Sequence, residues 1–191
     1  KAGGGLHTTL FQNFLENVSD TLVVNGEAVT QFPYRAELAG GAVLRDNLHN
    51  VWFVPEGKVC VTKRLQRSLD EETDASTQND FATAWIDHGS GVVSGGGYEY
   101  MLVVHASDGE AARYARELPY EVLRRDASAH ILRDRLSGAV GYALFAPGKV
   151  GEGLLESVSL PSLVMIGGDG EGLTVSAADP DLRFYEGPGD E

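Results

Sequence analysis

Short runs of alternating apolar and polar residues, closed by glycine or asparagine turns, fill most of this chain and leave little room for helix. Side chains on a strand point alternately to two faces, so a period of two marks a half-buried sheet. The sharpest instance is Thr21-Leu22-Val23-Val24, which meets Asn25-Gly26 and is answered by Glu27-Ala28-Val29-Thr30. Asn-Gly supplies the positive-φ positions that a tight hairpin of the right twist demands. Residues 43–46 and 51–54 flank Asn47-Leu48-His49-Asn50 in the same way. Val59, Val61, Lys63 and Leu65 share one mostly apolar face of a further strand. Later strands are predicted at 82–87, 98–105, 120–125, 129–133, 141–145, 162–166 and 173–177. Many short strands joined by glycine-rich turns predict an all-β, antiparallel sandwich.

One helix interrupts this pattern, near 108–118. Ser107 and Glu110 have capping-box spacing, Ala111, Ala112, Ala115 and Leu118 recur at helical intervals, and Pro119 stops the run. A second helical reading, at 12–17, is too short to rely on. The glycine- and serine-rich stretch 89–97 reads as a flexible loop between strands.

Charge and composition exclude several classes. No apolar run approaches the roughly 20 residues that span a bilayer, so no membrane partner is expected. The net charge of −13 repels polyanions at long range, which argues against nucleic acid. Lys58, Lys63, Arg64 and Arg67 form a local basic group ahead of Asp70, Glu71, Glu72, Asp74 and Asp80. They read either as solvent-facing charges on an edge strand or as contacts to an anionic sugar, and the first reading is preferred. Cys60 is the one cysteine, and in Val59-Cys60-Val61 it reads as a small buried hydrophobe rather than a reactive thiol. No secretory signal is visible, and both ends look like loops or cut edges.

Several words in order carry a resemblance. They are Leu6-His7-Thr8-Thr9-Leu10-Phe11-Gln12, the Leu22 to Gly26 hairpin, Phe32-Pro33-Tyr34, Trp85-Ile86-Asp87-His88 and Tyr98-Glu99-Tyr100-Met101. Val122 to Asp126 with His130, and Gly141 to Phe145, follow. Together the chain resembles the central β-domain of the polysaccharide lyases of family eight, the hyaluronate and chondroitin lyases. The resemblance implies an antiparallel β-supersandwich, like that of the galactose mutarotases, over residues 1–175. Residues 176–191 would then join a C-terminal β-domain that is not in this sequence. It also implies an extracellular or periplasmic setting. The parent would cleave uronic-acid-containing glycosaminoglycans by β-elimination.

That reaction needs a donor to neutralise the uronate carboxylate, a base for the C5 proton and an acid for the departing oxygen. In the family these roles fall to Asn, His, Tyr and Arg of a helical domain whose motifs are absent here. This part of the chain would serve as scaffold and cleft wall, with the helical domain, the C-terminal β-domain and the glycosaminoglycan as its partners. One branch of the family places a Glu immediately before Thr-Thr-Leu-Phe-Gln, and here that position is His7. A histidine can accept a hydrogen bond when neutral or contact an anion when charged, but it does not replace a permanent carboxylate. His7 is therefore the one candidate catalytic residue, with a plain terminal-loop histidine as the other reading.

The remaining candidates have bland readings. His88 is assigned a structural polar contact, and His49, His105 and His130 sit at turns or strand ends. No histidines have metal-ligand spacing and one cysteine rules out a zinc knuckle. Asp169 in Gly167-Gly168-Asp169-Gly170 suggests a turn, although a structural calcium ion there stays open, and no other cofactor is evident. Trp52, Trp85, Tyr98 and Tyr100 alternate within strands and are assigned to the core rather than to sugar stacking. The alternative function is a non-catalytic carbohydrate-binding or interaction module on the same fold. A stand-alone mutarotase-like enzyme would need a His and a Glu converging on one concave face.

Overall fold

In the computed structural model, which describes residues 5–90, 97–168 and 171–180, the period-two segments become sixteen strands beside one helix. They divide into two compact units, the first ending at Arg116 and the second beginning at Glu117. The first unit runs β1 Gly5–Phe14, β2 Val23–Val24, β3 Glu27–Ala28, β4 Tyr34–Ala39, β5 Ala42–Arg45 and β6 Val51–Val54. It continues with β7 Lys58–Leu69, β8 Ser76–Ser90, β9 Met101–Val103 and α1 Asp108–Arg116. The second holds β10 Tyr120–Arg125, β11 Ala129–Asp134, β12 Val140–Leu144, β13 Gly148–Lys149, β14 Ser157–Val158, β15 Ser162–Gly168 and β16 Leu173–Ala178.

The first unit is a sandwich. One sheet has the order β1-β8-β7-β4 and the other β3-β2-β5-β6-β9, with antiparallel neighbours throughout. Leu10, Phe11, Val59, Val61, Ala84 and Ile86 of the first sheet meet Val24, Leu44, Trp52 and Val54 of the second in one core. Asn25 and Gly26 take φ of 50° and 86°, the conformation the hairpin reading required. On the far side of the second sheet α1 lies against β6, with Tyr114 edge-on to Phe53 at 6.1 Å. Arg45 ties the helix entry down, donating to the Ala106 carbonyl and to Asp108, each at 2.8 Å. The capping box is present: the Ser107 amide donates to Glu110 at 3.0 Å, and the Glu110 amide to Ser107 Oγ at 3.3 Å.

The second unit is built on the sheet β10-β11-β12-β15-β16, again antiparallel, with the short β13-β14 ribbon beside it. Its own core gathers Ala129, Ile131, Val140, Tyr142, Leu144, Val150, Val164 and Ile166. The Tyr142 hydroxyl donates to the Glu152 carbonyl at 3.1 Å and accepts from the Leu154 amide at 3.3 Å. The chain is therefore all-β and antiparallel, with a single helix among the described residues, as expected. No helix among them is long and apolar enough to cross a membrane.

Three expectations are corrected. Residues 12–14 are strand, not helix: the register of β1 against β8 shifts between Thr9 and Phe11, and this bulge lets Leu10 and Phe11 both bury. Lys63 is not a solvent-facing charge on an edge strand. β7 lies between β8 and β4, and Lys63, paired with Tyr34, is wholly buried with Nζ donating to the Asp20 carbonyl at 2.8 Å. Tyr98 and Tyr100 do not enter the core, because the strand begins only at Met101; they are 54% and 40% exposed and stack on each other at 6.2 Å. Of the predicted 89–97 loop, residues 89 and 90 end β8, and 91–96, Asp169 with its calcium reading, and 181–191 lie outside the described residues.

Candidate functional site

Strand alternation decides what the first sheet shows to solvent. With Val59, Val61, Ala82, Ala84 and Ile86 turned inward to the core, Lys58, Arg64, Phe81, Thr83, Trp85 and Asp87 belong to the opposite, outward face. His7 and Thr9 join them, since β1 sets His7 opposite Asp87 and Thr9 opposite Trp85. His7 is exposed, and its ring lies 6.1 Å from the Trp85 indole at a tilt of 54°. It is thus a residue of an ordered strand, not of a loose terminal loop.

Beside it runs a chain of charges across the sheet. Asp87 holds Lys58 Nζ at 3.2 Å, Lys58 holds Glu37 at 2.9 Å, and Glu37 holds Arg35 at 2.8 Å. Arg35 and then Lys58 keep the Glu37 carboxyl below the usual range. The Gly89 amide and then Lys58 do the same for Asp87. The two carboxylates raise Lys58 in turn. Such opposite-sign neighbours each contribute little at an exposed surface, but they occupy Lys58 and leave it unavailable to an anionic ligand. Among the described residues, Arg64 and Arg67 form no ion pair.

The other sequence candidates separate from this face. His88 turns inward, within 2.9 Å of Thr8 Oγ1 and 5.8 Å of the Tyr98 ring, the structural polar contact assigned to it. His49 and His105 occupy turns at positive φ, and His130 packs edge-on against Phe145 at 5.1 Å. Cys60 is buried, and desolvation pushes its thiol up, so it is no nucleophile. Trp85 is half-buried and so belongs to both readings. No group of three His, Cys, Asp or Glu able to hold a metal occurs among the described residues.

Residue-by-residue reading missed two features of this face. One is the charge chain; the other is a run of amides, in which Gln12 Nε2 donates to Gln66 Oε1 at 2.9 Å and Gln66 Nε2 to Thr83 Oγ1 at 3.0 Å. Both join residues far apart in sequence, through a register that no local pattern specifies. Chemically the face offers an imidazole beside an indole, hydroxyls, amides and paired charges. Such groups can exchange hydrogen bonds with a polar ligand, and the imidazole can carry a proton.

Comparison with known proteins places the chain. No family model matches it. The chondroitin sulfate ABC endolyase of Proteus vulgaris is 35% identical over 185 residues, covering 94% of this chain and 18% of the endolyase. The chondroitin sulfate ABC exolyase of the same organism is 31% identical over 183 residues, with 94% and 18% coverage. Among solved structures, a Paenibacillus xanthan lyase superimposes with a TM-score of 0.78 at 20% identity, over 94% of this chain and 19% of that one. A chondroitinase AC lyase gives 0.78 at 17% identity, over 94% and 27%. The structural likenesses show the fold alone. The chain spans about a fifth of the length of the curated relatives it matches. Across nearly all of its residues the chain is similar in sequence to one segment of these chondroitin sulfate ABC lyases.

Proposed function

We propose that this chain is the scaffold and cleft-wall portion of a polysaccharide lyase that cleaves uronic-acid-containing glycosaminoglycans by β-elimination. The observation that carries the reading is 35% identity to a chondroitin sulfate ABC endolyase over 94% of the chain. In this reading residues 1–175 belong to a central supersandwich and 176–191 lead into a C-terminal β-domain. The proton-transfer groups come from a helical domain, and the enzyme works outside the cytoplasm. His7 faces the cleft from the outward side of the β1-β8-β7-β4 sheet, with Trp85 beside it and Asp87 opposite it in register.

The work of such a wall is positioning. Ordered donors and acceptors on a rigid sheet hold the polymer in register with groups on the facing domain, which lowers the entropic part of the barrier. His7 can accept from a sugar hydroxyl or, protonated, contact a carboxylate or sulfate. The test has two arms. The 191-residue chain, incubated with chondroitin sulfate or hyaluronan, produces no unsaturated uronate absorbance; turnover near that of the relatives overturns the division of labour. In the longer parent enzyme His7→Ala lowers turnover more than it lowers the melting temperature, and His7→Glu keeps or raises activity. Unchanged turnover in His7→Ala removes His7 from the cleft.

A further inference from the structure

Further along β1 from His7, the first sheet opens into a groove of about 430 Å3. Its walls are the long β7–β8 hairpin, whose register sets Gln66 opposite Asn79 and Ser68 opposite Thr77. Gln12 closes one side, already bonded to Gln66, which is itself bonded to Thr83. Phe81 closes the other, edge-on to Phe14 at 6.2 Å, and Phe14 is 47% exposed. Arg67 is the one cation among the lining residues, and no carboxylate lines the groove. Among the described residues nothing bonds the side-chain amide of Asn79.

These are odd choices for a strand pair. Asn is depleted in strands, and a phenylalanine pair left partly open to solvent, as Phe14 and Phe81 are, gains nothing from water. The combination matches one ligand chemistry. A planar amide carries a donor and an acceptor side by side and engages the adjacent hydroxyls of a pyranose. An aromatic ring takes the C–H face of the same sugar. With a single guanidinium, and a chain of net charge −13 around it, a densely anionic polymer finds no counter-charge.

We infer that this groove is a sugar-binding site that reads the hydroxyls of an oligosaccharide and holds it whether or not it is sulfated. The groove is argued from its own residues; it rests on the proposed function only for the choice of polymer. Gln12 and Gln66, fixed by their mutual hydrogen bond, present their remaining valences in a set geometry. Asn79 and Ser68 supply adaptable contacts, and the Phe81–Phe14 pair provides the apolar platform.

The test is a titration of the 15N-labelled 191-residue chain, followed through its side-chain amide resonances. The probes are an unsulfated chondroitin hexasaccharide, its sulfated counterpart and cellohexaose. The amides of Gln12, Gln66 and Asn79 shift with both chondroitin probes, at dissociation constants of about 1 mM that agree within about threefold. Phe81→Ala and Asn79→Ala, the latter at an exposed residue, each weaken binding by about fivefold or more, with the rest of the spectrum unchanged. Binding of cellohexaose alone supports the groove and removes the glycosaminoglycan, so the two readings fail separately. Affinity that rises about tenfold or more with sulfation overturns the inference, as do shifts confined to other surfaces or none at 10-fold excess over about 1 mM.

Discussion

Lys63 shows what a strand does with a residue unsuited to its face. It alternates with Val59 and Val61 toward the core, and its stem is accommodated there because long aliphatic side chains bury readily while the head seeks one partner. That partner is the Asp20 carbonyl at 2.8 Å, a dipole rather than a counter-ion, and burial pulls the ammonium below the ordinary lysine value. The sign follows from proton binding. Between the lowered folded value and about 10.4 the unfolded chain binds more protons, so stability rises with pH across that window. Lys63→Met keeps the volume, changes stability by about 1 kcal/mol or less and abolishes that alkaline rise. Lys63→Ala leaves a cavity and costs about 2–4 kcal/mol, read by urea unfolding. The acid limb has the opposite origin. In the second unit the Ser128 hydroxyl, then Arg124, then the Ser128 amide hold the Asp126 carboxyl far below the usual range. That stability is fully present above about pH 4 and is lost as pH falls toward the folded value. Asp126→Asn therefore lowers the urea midpoint at neutral pH and flattens its decline on acidification; an acid limb as steep as the parent's would sink the assignment.

Elements differ in how they are held, and the differences predict how they fail. α1 buries none of its residues, so it depends on its ends. The Ser107–Glu110 box and the Arg45 bonds to Ala106 and Asp108 secure the first turn. Ser107→Ala costs about 1 kcal/mol, and hydrogen exchange speeds up in α1 while the strands keep their protection. Gly41 is the converse case. Its φ is 99°, and a Cβ there would strike the carbonyl oxygens of Val54 and Pro55. Gly41→Ala strains the β4–β5 corner against backbone that has no freedom to yield, and destabilises the first unit by about 2 kcal/mol or more in thermal unfolding. Of these two, only α1 was readable from a local word; β4 and its Gly41 corner were not anticipated. The Asn25-Gly26 turn, the capping box and the strands near 120–125 and 129–133 each rest on neighbours in sequence. The bulge at Leu10, the interior place of β7 and the Gln12–Gln66 bond rest on register between distant strands, and a period of two is silent about register. His7 was visible as a word; its neighbours on the sheet were not.

At the scale of the whole molecule, charge separates two ways of holding a polysaccharide. The chain carries −13, and its cations are largely engaged: Lys58 between Glu37 and Asp87, Arg124 with Asp126 and Glu152, Arg133 with Glu121, Arg135 with Glu117. Binding driven by counter-ion release needs several free cations in a row, and Arg64 and Arg67 do not make one. If the proposed function holds, this part contributes geometry, and long-range attraction for a sulfated polymer would have to come from other parts of the enzyme. It follows that the 191-residue chain passes through a heparin column unretained at physiological ionic strength. The weak chondroitin affinity inferred for the groove would change little when salt is lowered severalfold, because about one ion or none is displaced. Calorimetry against heparin across a salt series measures both quantities. A sub-micromolar dissociation constant that weakens steeply with salt would reveal a coherent basic groove, and Arg64→Ala with Arg67→Ala would then abolish it. A flat, weak series is the outcome expected if the inferred groove on the first sheet recognises hydroxyls rather than charge.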